Sequence, residues 1–175
     1  MKLLKYKILN KLFGTDLKRK TLEEVTISDL KSLGVTTIGV DADNTTSFDG
    51  TIEPLPYSNS WIRNAEENGF KVLLLSNAKL ERAEALAKKY NIPCVGLALK
   101  PLPFGYIRAC IKAHERPSKI CMIGDQLFTD IMGANLFGYK TIYVYPYKKE
   151  ERNVESYEKR RAKEKKIFAY LDRKN

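Results

Sequence analysis

The sequence predicts an α/β fold, a three-layer α/β/α arrangement around a mostly parallel five-stranded sheet. Five short apolar runs alternate with stretches that carry helical spacing. The runs are apolar nearly throughout, as in strands buried on both faces by helices. Two acid-rich clusters, Asp41-Ala42-Asp43-Asn44-Thr45-Thr46 and Gly124-Asp125-Gln126-Leu127-Phe128-Thr129-Asp130, directly follow two of these runs. That is the rim where open parallel sheets bind their ligands.

The elements follow in order. Residues 2–13 form a helix with Leu4, Ile8 and Leu12 in one row and Leu3, Leu9 and Phe13 beside it. Ser28 begins a short helix that Gly34 ends. Strand one is 36–41. Ser58 caps a helix carrying Trp61, Ile62 and Ala65, closed by Asn68-Gly69. Strand two is 70–75, and Asn77 caps a helix over 79–90. Strand three lies near 94–98, and Pro103 opens a helix holding Tyr106, Ile107, Cys110 and Ile111. Strand four is 119–123, a helix over 129–137 stops at Gly138, and strand five is 140–145. A last charged helix spans roughly 152–171.

A chain of 175 residues with 43% hydrophobic residues forms one domain with a sizeable core. Cys94, Cys110 and Cys121 are odd in number and lie in apolar stretches, which points to reduced, packed thiols and a cytoplasmic setting. No apolar run approaches the roughly 20 residues of a membrane span. Lysines interrupt the start too often for a signal peptide, so the sequon Asn44-Thr45-Thr46 is not expected to carry glycan.

The net charge of +10 divides the chain into three. Residues 1–20 carry seven Lys/Arg and one acid; residues 148–175 carry eleven Lys/Arg and six acids; residues 21–147 carry thirteen bases and fourteen acids. A near-neutral globular domain over 21–147 is therefore flanked by a basic amphipathic segment, 1–20, and a basic helical tail, 148–175. Such tails suit an anionic surface, either lipid or nucleic acid. For the first segment a helix docked on its own core is the competing expectation.

The acid clusters carry chemistry suited to phosphate esters. An attacking carboxylate and a phosphate monoester repel by about 4 kcal/mol at ~4 Å and an effective dielectric near 20. A hard cation such as Mg²⁺ offsets this. Asp41 can attack phosphorus, and Asp43 can act as acid and then base, a role worth ~10²–10⁴-fold. Asp125 arrives from another strand to complete the metal site. Ser76 can hydrogen-bond a phosphoryl oxygen, and Lys100 can neutralise developing charge. Asp130 fits either a metal-site role or a cap on the helix over 129–137. His114 is expected exposed at a helix end. At least part of the alternating row Tyr139, Tyr143, Tyr145 and Tyr147 is expected to be packing.

The series Asp41-Ala-Asp43-Asn-Thr45, Ser76-Asn77, Lys100-Pro101 and Gly124-Asp125-Gln126…Thr129-Asp130 resembles the four motifs of haloacid dehalogenase (HAD) superfamily phosphatases. It is most similar to subfamily IIIA, the YqeG-like branch related to phosphatidylglycerophosphate phosphatases, over about residues 21–146. The resemblance implies Asp41 as nucleophile and Asp43 as acid/base whose carbonyl also binds Mg²⁺. It implies Ser76 and Lys100, with Asn77, as phosphate-binding residues, Asp125 as metal ligand, and Asp130 and Thr45 as supports. It also implies strand order 5-4-1-2-3. Thr46 and Leu99 depart from the family pattern and bear on substrate preference. The intervals between motifs leave no room for a large cap domain, and an open site suits a phosphate on something large. The expected activity is Mg²⁺-dependent hydrolysis of a phosphomonoester, with phosphatidylglycerophosphate or a similar lipid-linked phosphate as leading substrate. The expected setting is cytoplasmic, with a peripheral place at the inner membrane face as the second expectation. A HAD-fold binding protein for nucleic acid or the ribosome, using its basic tails, is the alternative.

Overall fold

A computed structural model of the chain describes residues 2–148 and 154–173. Among these residues, six parallel strands form one sheet: β1 Leu17–Arg19, β2 Thr37–Val40, β3 Lys71–Leu75, β4 Cys94–Val95, β5 Ile120–Gly124 and β6 Lys140–Val144. Their order across the sheet is β1-β6-β5-β2-β3-β4. The helices are α1 Lys2–Phe13, α2 Ile27–Ser32, α3 Ser58–Glu67, α4 Leu80–Tyr90, α5 Pro103–Ala113, α6 Met132–Phe137 and α7 Val154–Asp172.

Alternation along the strands builds two cores. Ile38, Val40, Val72, Leu74, Cys121 and Ile123 face a layer containing Trp61 and Ile62 of α3 and Leu86 and Tyr90 of α4. Leu73, Leu75, Ile120 and Met122 face the opposite layer, with Tyr106 and Ala109 of α5 and Ala134 of α6. The three-layer expectation is met. The register sets Val40 opposite both Leu74 and Ile123. Asp41, Ser76 and Asp125 therefore leave three adjacent strands at the same end of the sheet.

The sheet has one strand more than expected. β1 pairs with β6, Leu17 opposite Ile142. Only three residues long and two-thirds basic, Leu17-Lys18-Arg19 carries no strand pattern; its pairing is tertiary, with Asp16 accepting from the Thr141 N–H at 2.9 Å. Four local expectations also change. β4 stops at Val95, because Leu97 and Leu99 turn into positive φ. Ser58 is the first residue of α3 and donates to the Thr46 carbonyl at 2.7 Å instead of capping. Asn77 does not cap α4; its side chain is spent on Lys100. The expected helix over 129–137 is α6 preceded by a π-helical turn, Leu127–Ile131, in which the Ile131 N–H reaches back to Gln126. Residues 152–153 of the expected last helix lie outside the described residues.

The two basic segments pack together. Phe13, Leu127, Ile131, Tyr143 and Leu171 form a third cluster, joined by Tyr6, Leu9 and Leu12 of α1 and Ile167 and Phe168 of α7. The Phe13 ring meets Phe128 edge-on at 5.4 Å. Thus one face of α1 is docked, while Leu3, Leu4 and Ile8 stay exposed. Among the described residues no helix is long and apolar enough to cross a membrane. His114 is exposed at the end of α5, in a left-handed conformation. Cys121 is buried and Cys94 and Cys110 half-buried, all three free thiols.

Phe13→Ala is expected to destabilise the protein by about 3 kcal/mol, as for a large core truncation, whereas Leu4→Ala on the exposed face changes stability by less than about 0.5 kcal/mol. Urea denaturation of the two variants measures both; equal costs contradict the docked face described here.

Candidate active site

β2 ends at Val40 because the chain turns back on itself. The N–H groups of Thr45, Thr46 and Ser47 all converge on the Ala42 carbonyl, and Asn44 adopts φ 60°. Thr46 ties the turn down: its hydroxyl donates to the Asp41 carbonyl at 2.7 Å, and its own carbonyl accepts from Ser58 and from Tyr90. This buried hydrogen-bonding work accounts for a polar residue at 46.

Asp41 is buried at the head of this turn. Lys100 reaches it from the loop after β4. The Lys100 ammonium donates to Asp41 Oδ1 at 2.6 Å, to Asp130 Oδ1 at 2.6 Å and to the Leu75 carbonyl at 2.7 Å, which uses all three of its protons. Asn77 fixes the backbone of this lysine from both sides, accepting from its N–H at 2.7 Å and donating to its carbonyl at 3.0 Å. Ser76 is buried beside them, its Oγ accepting from the Ala78 N–H.

The π-turn delivers Asp130. Its carboxylate bonds the Gln126 N–H at 3.0 Å as well as Lys100, so it is not a cap for α6. A Cβ on Gly124 would lie 2.4 Å from Asp130 Oδ2; only glycine lets that carboxylate sit against the end of β5. Asp41, Asp125 and Asp130 each offer an oxygen within 4.8 Å of the others.

Asp43 stands differently. Both its oxygens are taken by the Arg82 guanidinium at 2.7 Å each, and Oδ1 also accepts from the Gly50 N–H. The strand geometry that would align it with Asp41 ends at Val40, three residues before it. Thr45 is buried in the turn, and its hydroxyl has no hydrogen-bond partner among the described residues.

Sequence reasoning missed three residues. Arg82 sits in the first turn of α4, and nothing in its spacing marks it. Arg161 of α7 pairs with Asp125, and Glu164 of α7, almost fully buried, accepts from the Leu127 N–H at 2.8 Å. Both are hidden among the many charges of the last helix.

The charge balance decides what the site can hold. Three buried carboxylates meet two cations, Lys100 and Arg161. Burial pushes the Asp41 carboxyl up to about 7; Lys100 pulls against this, and Asp130 and Asp43 add to it. Burial alone would lower Lys100, but Asp130 and Asp41 outweigh it and hold the ammonium above its ordinary value. The two shifts agree, since one lysine is shared between two acids. Asp125 is raised well above the carboxylate range by burial, against the pull of Arg161, and its Oδ1 is buried with no partner among the described residues. An all-oxygen donor set with surplus negative charge and an orphaned oxygen fits a hard divalent cation.

Fold and site together define a hydrolase built around a carboxylate cluster at the carboxyl end of a parallel sheet. A family model described as haloacid dehalogenase-like hydrolase matches residues 5–138, and the chain belongs to that family. A curated relative is the probable phosphatase YqeG of Bacillus subtilis (strain 168), 30% identical over 167 residues that cover 95% of this chain and 96% of the relative. The expected YqeG-like, HAD-type phosphatase is thereby borne out. Two solved structures share the fold. An uncharacterized protein from Listeria monocytogenes serotype 4b matches with TM-score 0.55 at 15% identity, over 67% of this chain and 84% of its own. A haloacid dehalogenase-like family hydrolase from Streptococcus pneumoniae matches with TM-score 0.51 at 13% identity, over 70% and 90%.

A carboxyl raised in the folded state binds its proton there up to about pH 7 but loses it near pH 4 when unfolded. Between those values the folded state holds more protons, so without added cation stability falls as pH rises. Cation binding needs the ionised acids, so the gain in Tm on adding Mg²⁺ is expected to be small near pH 5 and larger near pH 8. Scanning fluorimetry with chelator and with Mg²⁺ tests this, and Asp41→Asn is expected to remove part of the pH dependence. A gain that is equal at both pH values contradicts it.

Proposed function

We propose that the protein is a Mg²⁺-dependent phosphomonoesterase that works through an aspartyl-phosphate on Asp41 and acts on a phosphate carried by a lipid head group, phosphatidylglycerophosphate or a close analogue. The observation that carries the chemistry is Asp41 itself, buried at a strand end and held at 2.6 Å by a lysine that a second acid shares.

Asp41 attacks phosphorus and the ester oxygen leaves with a proton from Asp43. Asp43 then takes a proton from the water that cleaves the acyl phosphate, which frees inorganic phosphate and restores Asp41. Lys100 fixes the attacking oxygen and faces the incoming phosphoryl charge together with Ser76 and Asn77. For Asp43 to serve, the Arg82 pair must loosen, which raises the carboxyl's readiness to carry a proton. Asp41, Asp125 and the Asp43 carbonyl would hold the cation, with Asp130 supporting; when bound it offsets the repulsion between nucleophile and substrate.

The lipid assignment draws on the rim of the site. Over 97–100 the loop that carries Lys100 alternates outward and inward: Ala98 and Lys100 are buried, Leu97 and Leu99 are 50 and 48% exposed, and Leu102 at the loop's end and Phe104 in the first turn of α5 are 52 and 56% exposed. Leu97 and Leu99 hold φ of 47° and 56°, a conformation costly for side chains other than glycine, and so project an apolar edge beside the reacting centre. The exposed Leu3, Leu4 and Ile8, interleaved with the lysines of α1, supply a second amphipathic surface suited to an anionic bilayer at the inner membrane face. A nucleic-acid or ribosome binder gains nothing from a buried lysine clamped between acids, and no observation favours it.

Asp41→Asn is expected to abolish phosphate release from an aryl phosphate, excess chelator to do the same, and beryllium fluoride to trap density on Asp41. Density on another carboxylate, or full activity in chelator, refutes the chemistry. For the substrate, Leu102→Ser combined with Phe104→Ser is expected to lower turnover of a lipid phosphate in anionic vesicles about tenfold or more while hydrolysis of the soluble aryl phosphate is kept. Parallel loss on both substrates contradicts a lipid-facing rim.

A further inference from the structure

Arg161 lies on a helix that carries none of the family motifs, yet it touches the motif-four acid. Its Nη2 donates to Asp125 Oδ2, and its Nη1 donates to the Asp125 carbonyl and to Glu164 Oε2 at 2.7 Å. The Tyr157 ring packs over the guanidinium, 5.1 Å from ring centre to Cζ. Glu164, 2% exposed, is itself anchored to the Leu127 N–H, two residues beyond Asp125. Hydrogen bonds thus run from Asp125 through Arg161 and Glu164 to Leu127, and the backbone from 125 to 127 closes the loop; in it the planar guanidinium fixes one edge of Asp125. One oxygen of Asp125 is occupied, and the other is buried without a partner among the described residues.

We infer that Arg161 is a positioning residue for the cation site: it holds Asp125 by one oxygen so that the other is presented as a ligand, and it thereby couples docking of α7 to cation affinity. The inference rests on the reading that Asp125 binds a divalent cation. Two effects of Arg161 oppose each other. Its charge repels an incoming cation. Its hydrogen bonds hold the buried carboxylate in one orientation, which a rotated side chain would otherwise lose. Outer partners of metal-binding carboxylates typically contribute 10–100-fold in affinity, so the second effect is expected to win. Reciprocity then requires that the cation tighten the docking of α7 in turn.

Mn²⁺ binding to the purified full chain, followed by the electron paramagnetic resonance signal of free Mn²⁺, reads affinity without turnover. Arg161→Ala is expected to weaken binding 10–100-fold, and Arg161→Lys, which keeps the charge but not the two-pronged contact, to weaken it several-fold. In the wild type, Mn²⁺ is expected to slow amide exchange in α7, and this effect is lost in Arg161→Ala. Circular dichroism reports whether each variant is folded; if Arg161→Ala is not, Arg161→Lys carries the test. Binding in the folded variant that equals or exceeds wild type overturns the inference, as does cation-independent exchange in α7 of the wild type. A wild type that binds no Mn²⁺, or an Asp125→Asn variant that binds it equally well, overturns the cation reading beneath it and so is distinguishable from failure of the role given to Arg161.

Discussion

An ammonium group with all three protons committed, to Asp41, Asp130 and the Leu75 carbonyl, sits where water does not reach. Removing the lysine from such an arrangement leaves two buried carboxylates without their shared cation, a cost of several kcal/mol. Much of the surrounding backbone exists to hold these groups in place. The Asn77 clamp fixes the lysine, the turn after β2 fixes Asp41, and a π-turn running over a side-chain-free Gly124 fixes Asp130. Parallel strands in matched register bring the three supports to one end of the sheet, so the electrostatic cluster and the fold presuppose each other.

Most of the strands and the acids that gather at their ends were legible because both rest on short-range signals, whereas the sheet order came from the family resemblance alone. Apolar runs bounded by turn residues mark the strands, and acids that directly follow a buried run stand out from acids on a helix face. Side-chain pairings over long distances were not legible. Asp43 lies two residues beyond Asp41, where continued strand geometry would point both the same way, but the turn at Ala42 ends the strand first and Arg82 captures the carboxylate. Asn77 and Ser58 have the residue types of helix caps, and each is recruited instead by a distant backbone group. Glu164 reads as one more solvated charge in a charged helix, although burial and a backbone N–H define it. β1 carries no strand signal of its own.

The basic segments change meaning once placed. As sequence they are tails with surplus charge. As structure, α7 contributes Arg161 and Glu164 to the wall of the acid cluster, and α1 packs Phe13 against Phe128 of the π-turn. Their apolar residues divide between this packing and solvent: Phe13 and Leu171 are buried, Leu3 and Leu4 exposed. In α1, therefore, docking uses one face and leaves the other exposed.

β1 pairs with β6, so Leu17 finds its partner 125 residues along the chain at Ile142. Parallel pairing at that separation must pay its loop-closure entropy before any contact repays it. The edge strand is therefore the one part of the sheet that no neighbouring segment can supply: β1 has a partner only where β6 is already in place, and the β6 flank of the site is finished by a stretch of chain from far away in sequence.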